Sequence, residues 1–267
     1  EVATLEPMEV AGEAIQLFEA RARLQQPGFA VDPSNRAVVA EIVRLLDGLP
    51  LAVELAAARV RVLSLAQIVS RMHDRFALLA GARGAAARQA TLRAAIDWSF
   101  DLLARWEQAA LAQCSVFDGG FTLEAAEAVV ALGAWAEAPP VLDVVAALVD
   151  KSLLRTWRPE SANRLDIDEP FFGMYLSIHE YAAGKLLALG KTASADVELR
   201  HGAYFARFGS EEALDRLLVH GGIARRQTLA LELDNLIAAC RRAIARRQPE
   251  LAAASFLAAW SVLEAQG

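Results

Sequence analysis

The chain has 267 residues, 55% apolar and 22% charged, which is enough to fold into two or three small domains. Its formal net charge of −6 argues against a nucleic-acid footprint spread over the whole surface. Cys114 and Cys240 belong to no CxxC or Cys/His cluster, which favours a reduced, cytoplasmic protein without disulfides or zinc. The longest uncharged run, 251–263, is too short for the roughly 20 apolar residues of a membrane-spanning helix, so we expect no membrane segment.

The first domain, residues 1–86, is predicted to be a bundle of four helices. Apolar residues recur at helical spacing in four segments: 10–24, 32–47, from Pro50 to about 62, and 64–79. The third segment is apolar almost all round, which predicts the central, buried helix of the bundle. Its lone carboxylate, Glu54, is expected to be a partly buried charge paired with an arginine rather than a catalytic group.

Residues 87–190 are predicted to form a winged-helix domain, after a break in the helical pattern at Gly81-Ala82-Arg83-Gly84. Helices are expected at 91–103, 106–116, 125–131 (with Thr122 as N-cap), 141–149 and 177–189, and strands at 151–157 and 164–168. Three of these helices followed by the two-strand ribbon give the order of a winged helix.

Residues 191–267 are predicted to begin a helical array resembling tetratricopeptide repeats. Helices are expected at 197–208, 211–218, 228–247 and 249–264. The last two form an antiparallel pair joined by Gln248-Pro249, and one pair alone does not establish a repeat. The predicted fold class is therefore mainly α: a helical bundle, a winged helix with a small β-hairpin, and helical pairs.

The sequence motifs favour neither a catalytic centre nor a metal site. Gly190-Lys191-Thr192 resembles the end of a phosphate-binding P-loop, but Lys185 stands where that loop needs glycine, and a helix precedes it. The four histidines show no metal-ligand spacing, and no Gly-x-Ser-x-Gly nucleophile motif is present. We therefore expect no catalytic residue and no metal ligand in this chain.

The junction Asp47-Gly48-Leu49-Pro50 is the most informative turn. One predicted helix ends at the Asp-Gly pair and another begins at the proline. A helix N-terminus beside a rigid proline ring can receive a phosphate or the edge of an adenine, although most such turns only connect helices.

Direct DNA binding is disfavoured by the charge of the predicted winged helix. The helix that would enter the major groove, 141–150, contains two aspartates and no arginine. The basic residues concentrate in three pairs: Arg225-Arg226, Arg241-Arg242 and Arg246-Arg247. The last two pairs lie toward a helix C-terminus, where cations complement the helix dipole, and a solvated helix end is the simpler interpretation.

The order of these motifs resembles bacterial signal-transduction ATPases with numerous domains, of the NB-ARC type. The resemblance rests on the segments Gly48-Leu49-Pro50-Leu51, 54–61, Leu63-Ser64, 75–79, 91–99, 115–122 and 148–153. It covers nearly all of the chain and is most specific before about residue 189. In that family a P-loop ATPase domain precedes the bundle, and a winged helix and a tetratricopeptide-like sensor array follow it.

The resemblance implies that this chain corresponds to everything after the P-loop domain. It implies that Pro50, with Gly48 and Leu49, contacts the adenine of a nucleotide held by an upstream P-loop domain of the same protein. This chain alone would then bind no cofactor and catalyse no reaction, whereas the intact protein would bind ATP or ADP with Mg and act as a slow ATPase switch. The C-terminal helices would bind an effector or a protein partner.

A second nucleotide-sensing position of the family is degenerate in this sequence. Family members have a Met-His-Asp motif near the closing helix of the winged helix, and its histidine senses ADP. Met72-His73-Asp74 lies instead in the fourth bundle helix, and the positional match is Met174-Tyr175-Leu176, which lacks the histidine and the acid. Two alternatives to a nucleotide-switched regulator therefore stay open: a helical scaffold or adaptor whose switch is degenerate, and a winged-helix DNA-binding module.

Overall fold

The computed structural model describes residues 7–46, 48–76, 85–158 and 169–266. Within these ranges the chain forms fourteen α-helices and one two-stranded sheet. The helices are α1 (Pro7–Gln25), α2 (Arg36–Leu45), α3 (Pro50–Ala57), α4 (Leu65–Phe76), α5 (Ala85–Asp101), α6 (Arg105–Cys114), α7 (Leu123–Val129), α8 (Val141–Asp150), α9 (Leu176–Ala188), α10 (Lys191–Ala206), α11 (Glu211–Asp215), α12 (Gly222–Ala230), α13 (Leu233–Ala245) and α14 (Pro249–Gln266). The strands are β1 (Arg155–Trp157) and β2 (Phe171–Gly173).

The predicted fold class, mainly helical with a small antiparallel hairpin, is confirmed. The chain folds as two compact units: Glu1–Gln108 with Ala147–Leu153, and Ala109–Ala146 with Leu154–Gly267. The division into domains 1–86, 87–190 and 191–267 stays a prediction. Among the described residues, no helix combines the length and apolar character needed to cross a membrane.

Helix α3 is the buried helix of the first unit, as its composition predicts. It packs against α1, α2 and α5, and five of its eight residues are buried: Ala52, Val53, Leu55, Ala56 and Ala57. The expected charge pair is also confirmed, because Arg21 Nη2 of α1 lies 3.2 Å from Glu54 Oε1. The helix ends at Ala57 rather than near residue 62, and the following residues form turns.

The early end of α3 coincides with a buried arginine. Arg59 is only 2% exposed, and its Nη2 donates to the carbonyl of Ser99 in α5 at 3.0 Å. Burial lowers the pKa of Arg59 to about 10, and the carboxylate of Glu107 opposes that shift. The amides of Arg59 and Val60 bond three residues back, to Ala56 and Ala57, so the chain tightens where the guanidinium is buried.

The segment Ala147–Leu153 belongs to the first unit because polar contacts fix it there. Lys151 Nζ pairs with Glu107, whose carboxylate also accepts the amide of Ala104 at 2.9 Å before α6. Gln25 at the end of α1 donates to the carbonyl of Asp150 at 2.6 Å. Residues far apart in sequence thus place the end of α8 against the first helices.

The hairpin of the second unit differs from its prediction. β1 pairs antiparallel with β2, with Arg155 opposite Gly173 and Trp157 opposite Phe171. The partner strand expected at 164–168 lies outside the described residues, and the strand that pairs with β1 is instead Phe171–Gly173. The side chain of Phe171 is buried, and a strand whose buried face is specified has a defined pairing register. The alternation of polar and apolar residues in the sequence does not show which segment will be buried.

The helix predicted over 228–247 is divided into α12 and α13. The amides of Leu231 and Glu232 bond three residues back, to Thr228 and Leu229, and this tighter turn ends α12. The break lets the buried carboxylate of Glu232 accept a hydrogen bond from Asn235 Nδ2 at 2.8 Å. The expected pairing of the last two helices is confirmed, since α13 and α14 pack along each other.

Gly120 tests the packing of the hairpin. A Cβ on Gly120 would lie 2.7 Å from the Trp157 ring and 3.3 Å from Phe171. We expect Gly120→Ala to lower the free energy of unfolding by about 1–3 kcal/mol, because rigid aromatic rings must shift. Urea denaturation measures the change.

The matched control is Gly184→Ala in α9, where an added Cβ meets nothing within 4 Å. There the same substitution should stabilise the protein by roughly 0.5–1 kcal/mol, because alanine favours the helix. Equal effects of the two substitutions would contradict the packing argument.

Candidate functional site

The junction before α3 is a tightly hydrogen-bonded turn. Gly48 has a φ of +62°, and its amide donates to the carbonyl of Val43 at 3.0 Å. The amide of Leu49 donates to Leu46 at 3.0 Å, and the carbonyl of Leu49 accepts the amide of Val53 at 2.9 Å. Pro50 is the first residue of α3 and is exposed. Glycine is favoured at position 48 because other residues adopt this φ at a cost.

This geometry restricts what the junction can bind. The amides of Gly48 and Leu49 already have acceptors, and Pro50 has no N–H. The three residues therefore offer an exposed proline ring and little hydrogen-bonding capacity. Such a surface suits the face of an apolar or aromatic ring and does not form a phosphate cradle.

Met174, Tyr175 and Leu176 lie in the second unit, at the start of α9. Tyr175 is the N-cap residue, and its side chain makes no capping hydrogen bond. Tyr175 is 39% exposed and Leu176 is 74% exposed. Arg155 of β1 places its guanidinium carbon 5.5 Å from the centre of the Tyr175 ring. These positions present an aromatic and aliphatic surface, without the histidine or the acid of the family motif.

Histidine does occur one turn further along α9. His179 Nε2 lies 3.1 Å from the carbonyl of Phe117, so a backbone group of the same unit occupies it. Met72-His73-Asp74 lies within α4, in the first unit, as the sequence predicts.

The predicted solvated helix end agrees with the exposure of Arg241, Arg246 and Arg247, whereas Arg242 is half-buried. Arg242 Nη1 donates to the carbonyl of Val116 at 2.7 Å, and Arg246 Nε donates to Glu198 at 2.8 Å. Arg225 Nη1 donates to the carbonyl of Arg216 at 2.8 Å. These three cations therefore contact neighbouring elements of the second unit as well as solvent.

A buried polar cluster around Asn235 is the feature that the sequence reasoning missed. Asn235 is fully buried, and its Oδ1 accepts the amide of Asp118 at 2.9 Å. Its Nδ2 donates to the carbonyl of Gly120 at 2.7 Å and to Glu232 Oε2 at 2.8 Å. His201 Nε2 of α10 lies 3.4 Å from the same Oδ1. One amide thus joins α13 and α10 to the turn before α7.

Burial sets the protonation of the two titratable members of this cluster. His201 is fully buried, and desolvation, assisted by the positive charge of Arg242, lowers its pKa to about 3. Desolvation raises the pKa of Glu232 to about 7, and the negative charge of Glu169 adds to that shift. His201 is therefore neutral at physiological pH, and Glu232 is poised between its two forms.

We expect Asn235→Ala to lower the free energy of unfolding by about 2–4 kcal/mol. The substitution leaves the Asp118 amide, the Gly120 carbonyl and Glu232 without their partner in a buried position. Urea denaturation measures the loss. Arg241→Ala, an exposed position on the same helix, should change stability by no more than about 0.5 kcal/mol. A loss below about 1 kcal/mol for Asn235→Ala would show that the cluster is not stabilising.

Glu232 should make stability depend on pH. Its folded pKa of about 7 lies above the ordinary value of 4.5, so its contribution is fully present below pH 4.5 and is lost as pH rises through about 7. Relative to wild type, Glu232→Gln should therefore gain stability between these pH values, by on the order of 3 kcal/mol at pH 8. Denaturation curves at pH 4.5, 6 and 8 measure the difference.

The control for this pH dependence is Glu127→Gln, an exposed position on α7. Its stability difference from wild type should stay constant over the same range. If Glu232→Gln behaves in the same way, the carboxyl of Glu232 is not desolvated.

The chain is 42% identical over 234 residues to the Mycobacterium tuberculosis protein named "Putative HTH-type transcriptional regulator Rv0890c" and, to the same extent, to a Mycobacterium bovis protein of the same description. These matches cover 87% of this chain and 25% of each relative.

The Mycobacterium tuberculosis protein named "Uncharacterized protein Rv0894" is 40% identical over 188 residues, or 69% of this chain and 46% of that protein. No protein-family model matches the chain. The chain thus spans a quarter to about half of the length of these curated relatives, and it is similar to proteins described as transcriptional regulators.

Proposed function

We propose that this chain is the regulatory segment of a bacterial transcriptional regulator that is switched by a nucleotide. The observation that carries the regulatory role is the 42% identity, over 87% of the chain, to proteins described as HTH-type transcriptional regulators. The resemblance of the motifs to NB-ARC-type signal-transduction ATPases supports the nucleotide switch. A role in transcription would place the protein in the cytoplasm.

In this proposal the nucleotide is ATP or ADP with Mg, and its phosphates are held by a P-loop domain outside this chain. The junction of Gly48, Leu49 and Pro50 fits a contact with adenine and not with phosphate, because its amides already have acceptors and its proline ring is exposed. The chain itself has no catalytic role. Its helices shift the balance between two arrangements of the protein, biased by nucleotide at one end and by an effector at the other.

We place the DNA-contacting surface outside this chain as well. Helix α8 contains Asp143 and Asp150 and no basic residue, and Arg242 and Arg246 are engaged within the second unit. Negative charge on a groove-facing helix would repel the phosphate backbone. Salt-dependent binding of duplex DNA by this chain alone would instead favour a winged-helix DNA-binding module.

A helical scaffold with a degenerate switch is the second candidate. It is favoured by the residue types at positions 174–176, where an exposed tyrosine and leucine stand in place of the family motif with the ADP-sensing histidine and the acid. In such a protein the helices would bind a partner irrespective of nucleotide.

The role of Pro50 is testable in a longer protein that contains the upstream domain. We expect Pro50→Ala to weaken ADP binding about three- to tenfold, because the rigid apolar contact is lost, as measured by titration of fluorescent ADP. Pro249→Ala is the matched control, since Pro249 also begins a helix, and it should leave the affinity unchanged. Equal affinities for wild type and Pro50→Ala would refute the adenine contact. A wild-type protein without affinity for ADP or ATP would favour the scaffold.

A further inference from the structure

The second compact unit contains a cavity of about 350 Å³ next to the Asn235 cluster. Its walls come from the segment before β2, the start of α7, and helices α10 to α12. The apolar part consists of Tyr204, Phe208, Leu217 and Leu229. The volume suits a small organic molecule, and mostly apolar walls with a few polar groups are typical of such sites.

The aromatic walls already interact with a cation. The guanidinium carbon of Arg207 lies 3.9 Å from the centre of the Tyr204 ring and 4.8 Å from that of Phe208. The two rings meet edge to face, with centroids 5.8 Å apart. Arg207 therefore covers part of each ring, as expected for a cation attracted to aromatic faces, and the ring surface that remains is available to an apolar group.

The carboxylates of the cavity are compensated to different degrees. Glu124 pairs with Arg207 at 2.9 Å. Glu232 is 5% exposed, and the one hydrogen bond described for its carboxylate comes from the neutral amide of Asn235. Glu169 is exposed, and its charge acts on Glu232 in the same direction as burial does. Within the described residues, neither Glu169 nor Glu232 has a salt-bridge partner. The positive charge of Arg207, which pairs with Glu124, opposes the rise in the pKa of Glu232 without forming a salt bridge with it, so negative charge at this end of the cavity is only partly compensated.

The arginines of the cavity are engaged elsewhere. Arg216 pairs with Glu212 at 2.6 Å, and Arg225 donates to the carbonyls of Arg216 and His220. Both are exposed. An anionic ligand would have to displace these contacts and would approach Glu232, a buried carboxylate that opposes it. A metal ion is not favoured either, because no group of three or more His, Cys, Asp or Glu residues in the described part of the chain could hold one.

We propose that this cavity binds an organic cation with an apolar body, of the aralkylamine class, with its ammonium group at Glu232 and Glu169 and its apolar body against Tyr204, Phe208 and Leu229. Burial deprives the carboxylate of hydrogen bonds from water. The ammonium group supplies a charge-assisted hydrogen bond in their place. The apolar body fills the cavity and removes the apolar surface of its walls from contact with solvent. This inference does not depend on a nucleotide switch, because no residue of the Gly48–Pro50 junction takes part.

Three probes of similar shape and different charge test the proposal on the 267-residue chain: phenethylamine, 2-phenylethanol and phenylacetate. Isothermal titration calorimetry should show saturable binding of the amine. The neutral alcohol and the anion should bind at least about tenfold more weakly, because only the amine pairs with the carboxylates. This comparison uses the wild-type protein and no nucleotide. Its outcome is therefore independent of the outcome of the ADP experiment.

Two variants and a control locate the site. Glu232→Gln keeps an acceptor for Asn235 and should weaken amine binding about tenfold or more, whereas Glu127→Gln on α7 should not change it. Ala213→Phe places a ring in the cavity wall and should abolish binding of the amine. Circular dichroism shows whether each variant is folded, and the three-probe comparison is independent of the variants.

The proposal is overturned by any of three results. The first is no saturable binding of phenethylamine, and the second is equal or tighter binding of the alcohol or of phenylacetate. The third is an unchanged amine affinity in folded Glu232→Gln.

Discussion

The buried amide of Asn235 is the contact on which the second compact unit depends. It binds the backbone of the turn at Asp118 and Gly120, more than a hundred residues away in sequence. That turn continues into Phe121, whose amide and carbonyl bond with Phe172 at 2.9 and 2.8 Å, and into Thr122, which caps α7. A single side chain of α13 therefore fixes the turn, one edge of the hairpin and the start of a helix. A buried polar group stabilises a fold in this way only when all its hydrogen bonds are made.

The same cluster determines the electrostatics of the neighbouring cavity. Asn235 holds Glu232 in place through Nδ2, and the break between α12 and α13 brings that carboxylate into a buried position. The desolvation cost is visible as a pKa raised to about 7. A desolvated carboxylate without a salt-bridge partner weakens the fold unless something binds to it, and for that reason perturbed carboxyls beside cavities are good candidates for ligand contacts. Stability and binding are thus linked at one residue.

The first unit is connected with the proposed regulatory role through helix α3, which begins at Pro50. Its central helix α3 is apolar and buried, with the Arg21–Glu54 pair at one side and the buried guanidinium of Arg59 beyond its end. Pro50 is exposed at the start of this helix, so a contact made there acts directly on a rigid, well-packed element. A proposed switch that contacts Pro50 would therefore move or hold the bundle and not only a loop. The family resemblance supports this arrangement, and the nucleotide itself stays a proposal.

Most of the helical segments, and several of their first residues, could be predicted from the amino-acid sequence. Apolar periodicity and local capping chemistry are short-range properties, so Thr122, Ser64, Pro50 and Pro249 marked helix starts correctly. The arginine partner of Glu54 was also predictable, because a charge on a buried helix needs a counter-charge. Long-range packing, in contrast, sets the early end of α3, the break before Leu233, the strand that pairs with β1, and the cavity beside Glu232. Each of these depends on groups distant in sequence, such as Ser99 for Arg59 and Gly120 for Asn235, and local periodicity contains no information about which distant groups will become buried together.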